Sequence, residues 1–194
     1  MSLEILDYLK LPLKEALMAS VNLGFDLDQL QKLVTTVKED PQAGNTVWEV
    51  DTAWKGGFKS EAHVHSYGRS HTIRMDEPAP LGGSDTAPNM VEVVLSAYGC
   101  CLTTGYVMNA AQRGIKLEGV DVKLKGDLDL RGFFGISADV PPGYKGVDVE
   151  VSLKAPGSSR KDLEALHEHV LKTSPVGCII SRPLNVTTRL SIGA

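Results

Sequence analysis

The spacing of apolar residues changes its period along the chain. Over residues 3–39, Leu6, Leu9, Leu13 and Leu17, then Leu27, Leu30, Leu33, Val34 and Val37, recur three and four apart. That spacing lines one face of a helix. Asp26 or Asp28 is placed to cap the second of these helices. Residues 38–45, with Pro41 and Gly44, break the pattern and predict a boundary between a helical extension, 1–45, and the domain that follows, 46–194.

Beyond that point the period shortens to two. Residues 47–54, 58–66 and 71–75 read as strands, separated by turns at Gly56-Gly57 and Tyr67-Gly68. A loop at 76–83 then leads into a long apolar helix. Asp85 or Thr86 is its expected cap, Pro88 suits its first turn, and Gly114 is its expected stop after Arg113. Strands are predicted again at 120–130 and 147–153, joined by a span that holds Phe133, Phe134, Pro141, Pro142 and Gly143. A helix over 160–172, opened by Ser158 or Ser159, and a last strand over 183–191 complete the pattern. Helices and antiparallel strands that are segregated rather than alternating make an α+β fold.

Composition narrows the function classes. The chain is 42% hydrophobic and 23% charged, with a net charge of −4. Its Lys and Arg are scattered and not interleaved with aromatics, so no nucleic-acid partner is expected. The apolar stretch at 90–111 carries or adjoins Asn89, Glu92, Ser96, Thr103, Thr104 and Asn109, which are costly in lipid. A helix buried within protein is expected there, not a membrane span. The N-terminus lacks a basic segment followed by an apolar core. Three cysteines are too few, and odd in number, for a disulfide framework. A cytoplasmic, reducing location follows as the expectation.

The thiols are the candidate chemistry. By helical spacing Cys101 shares a face with Val94, Ala97, Tyr98, Thr104, Gly105 and Met108. Cys100 points about 100° away and reads as a small core residue. Tyr98, Met108, Phe133 and Phe134 are expected to line a pocket near the thiol. His63 and His65 alternate on one strand face, but no third ligand accompanies them, so no metal and no cofactor are expected. His167 and His169 suit the dipole near a helix C-terminus.

The run from Asp76-Glu77-Pro78 through Leu81-Gly82-Gly83-Ser84-Asp85-Thr86-Ala87-Pro88-Asn89 to Cys100-Cys101-Leu102-Thr103-Thr104-Gly105-Tyr106 resembles the signature of the OsmC/Ohr family. Ala110-Ala111-Gln112-Arg113-Gly114-Ile115 and Ser174-Pro175-Val176 fall where that family has matching segments. The resemblance covers about 46–191. It implies an OsmC-like fold, antiparallel strands around two main helices, in an intertwined homodimer with its sites at the subunit interface. It also implies thiol-dependent reduction of organic hydroperoxides, with Cys101 as the attacking cysteine and a dithiol as reductant.

Three positions depart from the family pattern. Ser174 stands where two-cysteine members carry the resolving cysteine, and Cys178 follows four residues later. Val91 stands where they carry a glutamate, and nine residues of helix put Glu92 on the side opposite Cys101. Among Lys59, Arg69 and Arg74, Lys59 is the nearest match to the activating arginine. Two readings follow: an atypical or one-cysteine peroxidase with Cys101 as nucleophile and Cys178 and Lys59 as helpers, or a non-catalytic dimer that senses redox state or binds an apolar small molecule. A hydrolase built on a Cys/His pair is weaker, because no His lies near a cysteine in sequence.

Overall fold

Local capping explains where the helices begin. In a computed structural model, which describes residues 24–193, the first helix is α1 (Leu27–Glu39). The Asp26 carboxylate accepts from Gln29 N–H and caps it, as its position predicts. The expected helix over residues 3–23 lies outside the described residues. After a short turn at Pro41–Gly44, three strands follow, β1 (Val50–Trp54), β2 (Ser60–Val64) and β3 (His71–Met75). They pair antiparallel in the order β1-β2-β3. Strand β1 starts three residues later than the alternation predicts and ends where it predicts, while β2 is shorter at both ends.

Helix α2 (Met90–Gln112) is entered later than expected. Neither Asp85 nor Thr86 caps it, and Pro88 lies outside it. Asn89 Oδ1 accepts from Glu92 N–H while Glu92 Oε2 accepts from Asn89 N–H, both at 2.9 Å. This reciprocal pair satisfies two N-terminal donors, and gives Glu92 a local duty in the first turn. Asp85 instead sits at φ 52 in the approach.

The chain then forms β4 (Gly119–Leu128), a single turn α3 (Leu130–Phe133), β5 (Tyr144–Lys154), α4 (Arg160–Thr173) and α5 (Pro175–Ser181). Strands β4 and β5 form a two-stranded antiparallel ladder with a shift in register between Gly126 and Leu128. Ser159 caps α4 by accepting from Asp162 N–H. The expected strand at 183–191 is absent: that segment has no regular structure. A strand exists only through hydrogen bonds to a neighbour, and among the described residues none pairs with it. Val186, Leu190 and Ile192 are accordingly exposed.

The residues group into two compact units, one ending at Ser96 and one beginning at Ala97. The core of the second unit is Leu102, Tyr106 and Ala110 of α2 against Leu166 and Val170 of α4. Tyr98, Val120, Val122, Val149, Val151 and Leu153 pack around them. Burying a side chain such as Leu102 or Leu166 contributes about 1.5–3 kcal/mol. By length and composition alone α2 could cross a membrane, but its second half is occupied by this core. Its first half is not buried as the sequence suggests: Met90, Val91 and Val94 are exposed.

Candidate active site

Close approach of two helices builds the site. A Cβ at Gly105 would come within 2.9 Å of Val170 Cγ1, so only glycine lets α2 and α4 meet there. At Gly99 a Cβ would lie 2.7 Å from Leu124 Cδ1, the end of a flexible side chain that would have to turn aside. The contact leaves an open cleft of about 410 Å³ alongside. Among the described residues its wall holds Ala97, Cys101, Met108, Val170, Ser174 and Pro175, together with Cys100, Thr104, Gly105, Asn109 and Thr173.

Cys101 is a partly exposed free thiol on this wall. Its Sγ lies 3.2 Å from Ser174 Oγ. Ser174 is held by the junction between α4 and α5: its side chain accepts from Gly177 N–H at 3.1 Å and caps α5. It is 5% exposed. When Cys101 is ionised its sulfur can only accept, so the Ser174 hydroxyl donates to it. A hydrogen bond to a charged acceptor is stronger than one between neutral groups. The arrangement can therefore hold a reactive sulfur anion in an otherwise apolar cleft.

The other expected site residues fare differently. Met108 lines the cleft as expected. Phe133 and Phe134 do not: both are exposed, their rings tilted against each other with centroids 5.1 Å apart, on and beside α3. Tyr98 packs against the core instead. Cys100 is exposed on the cleft wall and is not a core residue, because the face 100° from Cys101 is left uncovered. Cys178 is exposed on α5 and is not part of the wall. Lys59 is partly buried just before β2, in the unit that ends at Ser96. Among the described residues, no Lys or Arg lines the cleft.

Three of the histidines have local partners. His63 sits 3.8 Å from Glu61 and 3.3 Å from Thr72 Oγ1, and His65 lies 3.7 Å from Asp51. His167 serves the core: its Nδ1 is 2.6 Å from the Tyr106 hydroxyl. Burial, with Tyr98 nearby, pushes the Tyr106 hydroxyl up to about 12. On His169, burial and then the charges of Arg113 and Lys172 favour the neutral ring.

Two features escape sequence reasoning. One is the hydroxyl contact to Cys101, made across 73 positions of sequence. The other is Asp76, 1% exposed at the head of the Gly-Gly loop. Its carboxylate accepts from Glu77, Ser84 and Thr86 N–H and from the Thr86 hydroxyl. Burial opposes its ionisation, but the Thr86 hydroxyl and these N–H groups outweigh it and hold the carboxyl below its ordinary value. The acid at the start of an otherwise Gly- and Pro-rich loop is the signal that could have revealed it.

Comparison with known proteins agrees with this architecture. The sequence matches the family model described as OsmC-like protein over residues 82–189. No curated protein matches the chain. Among solved structures, an OsmC-like protein from Mycoplasma pneumoniae superposes with a TM-score of 0.57 at 13% identity, covering 70% of this chain and 88% of that one. An OsmC-like protein of unknown function from Vibrio cholerae gives 0.57 at 12% identity, over 71% and 95%. The organic hydroperoxide resistance protein OsmC from Legionella pneumophila gives 0.50 at 19% identity, over 71% and 92%.

Proposed function

Because the chain belongs to the OsmC-like family, we propose that it is a thiol-dependent peroxidase reducing organic hydroperoxides, with Cys101 as nucleophile. The observation that carries this reading is the Cys101 sulfur, approachable in an apolar cleft and hydrogen-bonded to a fixed hydroxyl. The thiolate attacks the terminal peroxide oxygen. An S–O bond forms as the O–O bond breaks, the alkoxide takes a proton and leaves as alcohol, and Cys101 becomes a sulfenic acid. Ala97, Met108, Val170 and Pro175 give the cleft apolar walls suited to an alkyl hydroperoxide. The name of the Legionella fold neighbour is consistent with such a substrate.

In this reading the protein acts in the cytoplasm as a homodimer. Support for the dimer comes from uncovered apolar residues: Ile179, Ile180, Leu184, Val186, Leu190 and Ile192 are all exposed in the single chain. Stopped-flow mixing of the reduced protein with cumene hydroperoxide tests the nucleophile. Cys101→Ser is expected to abolish the fast phase, and a variant that consumes peroxide as fast as the parent removes Cys101 from the mechanism.

A second reading, a redox sensor or apolar-ligand binder without turnover, is favoured by one observation: among the described residues, the cleft wall holds no Lys or Arg. A parent protein that is oxidised once at Cys101 but never cycles when thiol is supplied supports this alternative.

A further inference from the structure

Among the described residues of the cleft wall, one buried acceptor has no donor. Asn109 is 5% exposed and stands in that wall. Its Nδ2 donates to the Gly105 carbonyl at 2.8 Å. A carbonyl can only accept, so the amide is held with its nitrogen toward Gly105, and Oδ1 is the group left over. No donor among the described residues meets Oδ1, yet no fully buried side-chain oxygen there lacks a partner. Oδ1 therefore keeps an open side, and the open space that Asn109 borders is the cleft.

The other polar groups of the wall are committed or wet. Ser174 serves Cys101 and Gly177, the Thr173 hydroxyl donates to the His169 carbonyl at 2.8 Å, and Thr104 is exposed. A buried acceptor is costly unless it is filled. In a mostly apolar cleft it selects what enters. A ligand with a donor at that point gains a hydrogen bond; one without it displaces water and leaves Oδ1 unpaired.

Position sets the rest of the ligand. Cys101 and Asn109 are eight residues apart on α2, about 12 Å along its axis. Between them the wall holds Gly105, with no side chain to obstruct, and Met108, whose unbranched side chain adapts to what lies on it. With zigzag carbon–carbon bonds of about 1.5 Å, an extended chain of roughly ten atoms spans that distance. The cleft, at about 410 Å³, is of a size that holds such a molecule. The donor is neutral: among the described residues the wall holds no Asp, Glu, Lys, Arg or His to pair a charge, and a carboxylate has no proton to give.

Deepening the peroxidase reading, on which its reactive end rests, we propose that the substrate is an unbranched alkyl hydroperoxide bearing a hydroxyl at its far end. The peroxide meets Cys101, and the hydroxyl donates to Asn109 Oδ1. Asn109 determines specificity and takes no part in the covalent step.

Disulfide exchange, which needs no peroxidase activity, tests the far end of the site. Full-length reduced protein is equilibrated with decyl or 10-hydroxydecyl disulfide in excess 2-mercaptoethanol. Occupancy at Cys101 is read by mass spectrometry, with fragment ions that separate it from Cys100, against Cys178, which is exposed and outside the wall. The hydroxylated chain is expected to favour Cys101 about tenfold over the plain one, as one hydrogen bond would give. A butyl pair, too short to reach Asn109, should show no preference. Asn109→Leu should erase the decyl preference, and the parent's chain-length comparison decides alone if that variant does not fold. Equal occupancy by the two decyl chains, or the same preference with butyl, overturns the inference and leaves Oδ1 to water. In a second arm, kcat/KM of the parent is expected to be about tenfold higher for 10-hydroxydecyl than for decyl hydroperoxide; equal values overturn the inference. A parent that consumes neither sinks the peroxidase reading, and the exchange arm then decides the role of Asn109 separately.

Discussion

Asp76 and Cys101 are both reactive groups held in folded surroundings, yet they are treated in opposite ways. Asp76 is shut away and accepts four hydrogen bonds, from Glu77, from Ser84 and two from Thr86. Cys101 is partly exposed, faces a cleft, and meets the Ser174 hydroxyl. A group whose acceptor sites are filled and whose approach is closed builds structure. One with a single fixed donor and an open side is available to a reactant. The contrast explains why a loop rich in Gly and Pro can be tied together while the middle of a regular helix carries an approachable thiol.

The sharpest way to break the Asp76 side of this contrast is backbone crowding. A Cβ on Gly83 would overlap the Glu77 carbonyl, so Gly83→Ala must push apart the loop that Asp76 ties together. We expect a loss of about 3 kcal/mol or more in urea unfolding. A loss below about 1 kcal/mol would show that the loop yields easily and is not a rigid frame.

On the Cys101 side, Ser174→Ala removes the hydroxyl. A hydrogen bond to a charged group contributes about 1.5 kcal/mol, equivalent to roughly tenfold in rate. Sulfenic acid formation at Cys101 is therefore expected to slow about tenfold. The α5 cap is lost as well, at about 1 kcal/mol of stability. Ser174→Thr, which keeps the hydroxyl, should restore the rate; a rate in Ser174→Ala equal to the parent's would reduce Ser174 to a capping residue.

The smallest effect concerns pH. Because the Asp76 carboxyl titrates below its ordinary value in the fold, its stabilising contribution is present above the unfolded carboxylate range, near 3.9, and is lost as pH falls through the folded value. Urea midpoints measured from pH 6 downward should therefore decline for the parent in that acid window. The decline should be shallower for Asp76→Asn, even though the variant is less stable at neutral pH. Parallel curves would mean that the four hydrogen bonds do not discriminate between the charged and neutral carboxyl.

Much of the local architecture was legible in the residues. Asp26 and Ser159 cap the helices their positions predict, and β3 spans the predicted residues. The Asp85 or Thr86 cap failed because Asn89 and Glu92 form a reciprocal pair that a search for the first acid or hydroxyl after the loop passes over. Phe133 and Phe134 misled for another reason: a polar, turn-rich span gives no periodicity to say which way its aromatics face. The strand expected at 183–191 shows the limit most clearly, since its apolar alternation is real but no strand among the described residues pairs with it.

What the sequence by itself determined is where the thiol lies. The loop-helix motif and the helical spacing of 90–112 place Cys101 on a helix beside small residues, because capping and periodicity act within a few positions of each other. What only the tertiary structure decided is the company the thiol keeps. Gly105 lets Val170 close in, the turn after α4 brings Ser174 to the sulfur, and Cys178 is left outside the wall. Those outcomes depend on helices packing across more than sixty residues of sequence. Short-range pattern does not encode that geometry.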